Sequence, residues 1–200
     1  MKKTFLLLIA SLILVACGGG GGGGSSSTDT TNPSVEYDMW DYIVSKTTIT
    51  KKFDKYDTNS NYNPTGGVSL NAGQVRETVL SSDTIKYEEI TNGTVVRTAT
   101  FIVGSNTIQA VGGSAVLNRY MSLNSSFGDC IIKSHYANYS PVMGYNYKDV
   151  IEIKCTGVNS DYYSEFYAKD IGKITGQNHN SFTNGNNTTH YYSVAVADLQ

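Results

Sequence analysis

This 200-residue chain has little proline, only Pro33, Pro64 and Pro141, a single tryptophan, and charge on just 16% of its residues. It also has no long apolar run outside its first residues. Each scarcity excludes something. The apolar start is shorter than the roughly 20 residues that a membrane-spanning helix needs. A mildly acidic chain without a basic stripe lacks the electrostatic footprint of a nucleic-acid binder. The three histidines, His135, His179 and His190, are scattered, and none forms His-x-His or His-Glu-x-x-His. No metal site or cofactor is therefore expected from their spacing. No window beyond Val44 holds a helical period, which argues against strands alternating with helices around a parallel sheet.

What is present begins with Lys2 and Lys3, followed by an apolar run from Phe5 to Ala16 broken only by Ser11. A basic start and a short apolar core are the parts of a signal peptide. The run ends in Leu14-Val15-Ala16-Cys17, which resembles the lipobox read by lipoprotein signal peptidase. The resemblance implies cleavage before Cys17, a diacylglycerol on its thiol and acylation of the new amino group. Residues 1–16 are thus read as a lipoprotein signal peptide. Gly18, standing where many inner-membrane lipoproteins carry aspartate, implies sorting to the outer membrane, with the protein facing the periplasm or exposed at the cell surface.

Residues 17–34 read as the lipidated cysteine and a tether. Gly18 to Gly24 and Ser25 to Ser27 have no apolar area to bury against the entropy of ordering. About 16 such residues give a root-mean-square reach of roughly 20 to 24 Å. Loss of Lys2 and Lys3 leaves 13 basic against 17 acidic residues, a mature charge of 13 minus 17, or −4. Nothing polybasic flanks the cysteine, so membrane attachment falls to the lipid, each buried CH₂ contributing about 0.8 kcal/mol.

Residues 35–200 read as one mainly β domain. Short β-branched or tyrosine-rich segments close on Gly, Asn or Ser, and the architecture expected is a single antiparallel, strongly twisted sheet or open half-barrel. Strands are expected at Thr47–Tyr56, Gln74–Leu80, Thr84–Ile90, Thr94–Val103, Thr107–Val111, Val116–Met121, Cys130–Ala137, Asp149–Thr156, Tyr162–Ala168, Ile171–Gly176 and His190–Val196. Val35 to Val44 fits a short helix or a strand equally. Asn92-Gly93 predicts a type I′ hairpin, because both central positions need positive φ. Lys169-Asp170 predicts another.

Export to an oxidising compartment makes Cys130 and Cys155 a natural disulfide. If they face each other across antiparallel strands, partners sum to 285. Ile132 then opposes Ile153, Lys133 opposes Glu152, and His135 turns outward opposite Val150. The segment Tyr162 to Ile174 is similar to an aromatic strand, Lys-containing turn and Gly-containing strand near the C-terminus of uncharacterised β-rich envelope lipoproteins. Some of these resemble half-barrels that carry lipids or lipoproteins across the periplasm. That resemblance implies a curved sheet and assigns no residues.

Other patterns lead to bland readings. Asp57 to Asn63 imitates the start of a calcium loop, but Tyr62 and Val68 stand where an EF-hand needs Gly and Glu, so an Asn-rich turn is expected. Gln177 to Asn187 reads as a long polar loop carrying His179. Gly112 to Val116 lacks the last glycine of a nucleophile elbow, and Glu88 and Glu89 point to opposite sheet faces. The 15 tyrosines suit both sheet packing and recognition.

No nucleophile–base spacing recommends catalysis. The expectation is a non-enzymatic module that binds an apolar ligand or a protein partner. In a half-barrel, Ile132, Ile151 and Ile153 would line the apolar concavity. The alternative is a surface adhesin or structural envelope lipoprotein, whose core can be filled. Replacing Cys17 by Ser should abolish fatty-acid labelling of the chain and leave the signal peptide attached. Mass analysis of the N-terminal peptide reads both outcomes.

Overall fold

The computed structural model describes residues 35–199 apart from 114–115, 142–144, 157–161 and 185–186, with side chains described for all of these but 66, 71, 182–184, 187–191 and 199. Cys17 and the segments read as signal peptide and tether lie outside the described residues. The segment that fits helix or strand equally contains one of each, β1 (Glu36–Asp38) and the single turn α1 (Trp40–Ile43).

A first antiparallel meander follows through β2 (Ile49–Thr58), β3 (Pro64–Ser81), β4 (Thr84–Thr91), β5 (Thr94–Val103), β6 (Thr107–Ala110) and β7 (Val116–Asn118). The chain then leaves the sheet as β8 (Tyr120–Ser122), which pairs with β1. A second meander runs through β9 (Ser126–Phe127), β10 (Cys130–Tyr139), β11 (Tyr147–Thr156), β12 (Tyr162–Ala168), β13 (Gly172–Asn184) and β14 (Asn187–Leu199). The first strand of one meander and the last of the other, β2 and β14, pair antiparallel and fuse them into one 12-stranded sheet.

Its edges, β7 and β9, are joined by residues 119–125. That connection bonds to both ends: Arg119 N–H donates to Asn106 O at 2.9 Å, and Ile132 N–H to Ser125 O at 3.0 Å. The sheet therefore curls until it is nearly closed, with the β1–β8 ribbon linking its ends. The mainly β, antiparallel, open half-barrel architecture is what forms.

Local chemistry explains the turns. Asn92 and Gly93 both take positive φ, 50° and 76°, as the type I′ hairpin requires. Cys130 and Cys155 are paired opposite each other and joined by a disulfide. The register summing to 285 holds through Ile132 opposite Ile153 and then breaks. A bulge at Lys133 sets Glu152 opposite Ser134, and His135 opposite Ile151 instead of Val150. One extra residue reverses the alternation, and its effect is to carry Tyr136 to the outer face, where it packs with Phe166.

Of the expected loop from Gln177 to Asn187, the described residues 177–184 and 187 lie in β13 and β14 instead. The backbone continues the ladder, with Thr183 opposite Thr188, up to the pair Asn184 and Asn187. Likewise β3 starts at Pro64 rather than Gln74, and the expected strand at Val116–Met121 divides at Arg119 into β7 and β8.

The turn after β12 fastens the sheet to the N-terminal segment. Lys46 N–H donates to Asp170 O at 2.9 Å, and Asp170 N–H to Asp41 O at 2.6 Å. Gly172 follows with φ 81°, and a Cβ there would lie 2.9 Å from Lys51 Nζ and 3.1 Å from Ser45 N. Gly93 has a similar φ but nothing within 4 Å of its Cβ position. Gly93→Ala should thus cost only the left-handed backbone penalty, on the order of 1–2 kcal/mol. Gly172→Ala should cost clearly more, because the backbone contact adds to the same strain. Urea denaturation of the two variants measures the difference.

Candidate functional site

The inner face of the sheet is where the sequence places an apolar concavity. Ile132, Ile151 and Ile153 do turn inward, and none is more than 3% exposed. They form one cluster with Ile85, Ile108 and Leu117 from the opposite arm of the sheet, and with Met39, Trp40, Tyr42 and Val44 from the N-terminal segment. That segment acts as a plug. Burying a side chain such as Met or Phe contributes about 1.5–3 kcal/mol, so four large residues make it a major part of the core.

Polar contacts at the rim hold the plug in register. Arg119 grips Asp38 through Nε at 2.9 Å and Nη2 at 2.7 Å. Trp40 Nε1 reaches Ser82 O at 3.4 Å, and the Lys46 ammonium lies 5.2 Å over the Trp40 ring. Tyr42 donates to Asp149 Oδ1 at 2.7 Å, and His135 Nε2 meets the same oxygen at 2.8 Å. Burial pushes the Asp149 carboxyl up, but the hydrogen bonds from Tyr42 and His135 outweigh it and hold the group below the usual carboxylate range. His135 thus turns toward the plug and has Tyr37 packed 5.1 Å from its ring.

Beyond the plug the interior becomes polar. Lys51 and Glu77 pair at 2.5 Å with almost no exposure, and Glu77 also accepts the Ser45 N–H at 2.5 Å. Desolvation pushes the Lys51 pKa down against the pull of Glu77. Glu165 accepts from both Lys173 and Tyr167. Losing one member of such a pair strands the other, which makes them strong constraints on geometry even where their net stabilisation is small. A cavity lined by Phe53, Tyr163, Glu165, Lys173, Gly176 and Ala195 lies beside this network. It has room for a few water molecules, not for an acyl chain.

The outer face across β10–β14 and β2 is different in character. Tyr136 and Ser164 both donate to Glu152, at 2.9 Å and 2.8 Å. Tyr139 stacks on Phe166 with centroids 4.4 Å apart, and its hydroxyl accepts from Gln177 at 3.4 Å. Tyr147 donates across the sheet to Ala197 O at 2.8 Å. Burial pushes the Tyr139 and Tyr147 hydroxyls well above the usual tyrosine range.

Further along, the cross-strand neighbours Tyr162, His179 and Tyr192 form a row with centroids 4.9 Å and 4.7 Å apart. Tyr62 closes one end of the row edge-on at 5.8 Å, and the Lys154 ammonium covers Tyr162 at 4.1 Å. These rings are fixed by one another, with little rotamer freedom left to lose on contact with a partner.

The residues singled out from sequence thus separate. His135 belongs to the plug's rim and His179 to the aromatic row, while the backbone of His190 sits opposite Ser181 in β14. In the calcium-like stretch, Asn59 Oδ1 accepts the backbone N–H of Asn61 and of Asn63, closing an Asn-rich turn. Glu88 pairs with Arg76 and Lys86, and Glu89 faces Arg97, so the two acids diverge as alternation requires. Among the described residues no group of three His, Cys, Asp or Glu is placed to hold a metal, and no helix is long and apolar enough to cross a membrane.

Sequence reasoning missed the plug, although a lone tryptophan in a short apolar segment was a signal for it. It also missed the tyrosine sharing the Asp149 latch. Comparison with known proteins adds no assignment: no family model, no curated protein and no solved structure matches the chain.

Proposed function

We propose that the chain is a non-enzymatic envelope module, anchored to the outer membrane through lipid on Cys17, that binds a protein partner through its outer tyrosine face. One observation supports the protein partner over an apolar ligand. The inner face, where a ligand carrier would keep its cavity, is occupied by Met39, Trp40, Tyr42 and Val44 of the same chain.

The outer face supplies what a recognition surface needs. Tyrosines give large contact area at low entropy cost. Here Tyr136, Tyr139 and Tyr145 are half-buried and held by ring contacts, Tyr136 also by its bond to Glu152, and half-buried Tyr56 packs on Val194 and Val196. Glu152, Gln177 and Lys154 interleave polar groups that set register and orientation. The tether read from Gly18 to Pro33 would present this face within reach of other envelope components.

The test is site-specific photo-crosslinking of the full lipoprotein in intact cells. A photoreactive residue replacing Tyr145 should give a discrete protein adduct, and that adduct should fade when Tyr139→Ala is added. The same residue replacing exposed Thr98, on β5, should give none. If Tyr145 gives no adduct and the purified protein instead carries lipid, the carrier reading prevails.

A further inference from the structure

Where the chain enters the fold, the β1–β8 ribbon ends in two exposed apolar side chains. Extending the pairing of Glu36 with Ser122 by one residue sets Val35 opposite Leu123. They are 68% and 41% exposed. The following turn leans on β10, since Asn124 N–H donates to Ile132 O at 2.7 Å. That contact brings the bulged, exposed Lys133 beside the same corner. Glu36 alternates to the other side of the ribbon.

We infer that this corner docks on the bilayer that carries the anchor, with Val35 and Leu123 in the interfacial layer and Lys133 at the lipid phosphates. The inference rests on the lipid anchor at Cys17 proposed above. What singles out the bilayer as occupant is where the chain outside the structure ends. Val35 is the first described residue after the Gly/Ser segment that starts at the lipidated cysteine. Other exposed apolar residues, such as Val95 and Val96 beside the Asn92-Gly93 turn, sit at the far end of β5 from the β5–β6 turn, whose Asn106 O accepts the Arg119 N–H.

Two side chains cover too little area to bind a membrane unaided. A tether of about 16 residues, as read from the sequence, would change the requirement, because it would hold the corner within roughly 20 to 24 Å of the surface. The effective concentration of a short flexible linker is on the order of mM, so a contact that weak is enough to be populated. The corner is also rigid: Met39 N–H donates to Arg119 O at 2.7 Å, and Arg119 clamps Asp38. Docking would thus fix how the whole domain is turned toward the membrane. Near-surface lysine adds attraction to anionic lipid.

Trp40 is the only tryptophan and is 3% exposed, which leaves an introduced tryptophan easy to follow. Full-length lipidated Leu123→Trp and Val95→Trp variants would be reconstituted in vesicles of phosphatidylethanolamine and phosphatidylglycerol containing acyl-brominated phosphatidylcholine. Emission at position 123 should be lost relative to unbrominated vesicles, and emission at position 95 should be unchanged. Val35→Trp gives the same reading should Leu123→Trp fold poorly. Equal quenching at both positions, or none at either, in protein that floats with the vesicles overturns the docking and leaves the anchor standing. A parent chain that does not float overturns both.

Discussion

A curved antiparallel sheet buries its inner face only if something covers it, and in this protein the cover is the segment from Met39 to Val44. The two arms of the sheet meet in one cluster that includes this segment, with Ile85 and Ile108 from one arm and Ile132 and Ile151 from the other. Hydrophobic burial is not directional, so polar contacts set its position. Asp38 with Arg119, Tyr42 with Asp149, and the Ser45 N–H with Glu77 hold the entry, the middle and the exit of the segment. Gly172 is required by the same packing, since only a residue without a side chain leaves room for Lys51 and the plug's exit.

Once the inside is filled, the rest of the design follows. The strands of the second meander bury apolar residues on both faces, as Val150 and Ile151 show side by side, neither of them exposed. The outer cover comes from tyrosines, among them Tyr147 at the start of β11, whose hydroxyl reaches Ala197 O. Tyrosine suits this position because its ring packs while its hydroxyl finds a partner. The bulge at Lys133 serves the same end: it turns Tyr136 onto that face, where its hydroxyl meets Glu152.

Local signals in the sequence were sufficient where the physics is local. The Asn92-Gly93 hairpin, the strands Thr94–Val103 and Tyr162–Ala168, and the opposition of Cys130 and Cys155 depend on adjacent residues or one covalent pair. The readings that failed depend on tertiary partners. Residues Gln177 to Asn187 look like a loop because Asn and Gly are poor strand formers, yet the row from Tyr162 through His179 to Tyr192 holds that part of the hairpin in the sheet. The plug could not be placed because α1 is one turn long, and nothing in four residues reveals which surface they fill. The ion pairs Lys51 with Glu77 and Lys173 with Glu165 join positions distant in sequence, on strands whose individual patterns look half-exposed.

The plug's role can be tested through its own chromophore. Trp40 emission reports the plug alone, because the chain has no other tryptophan, while far-ultraviolet circular dichroism reports the strands. If the sheet depends on the plug, the two signals should change together across a urea titration, in one cooperative transition. A Trp40 signal that shifts to that of a solvent-exposed indole at lower urea, with the strand signal intact, would show that the sheet stands without its plug and would contradict the account.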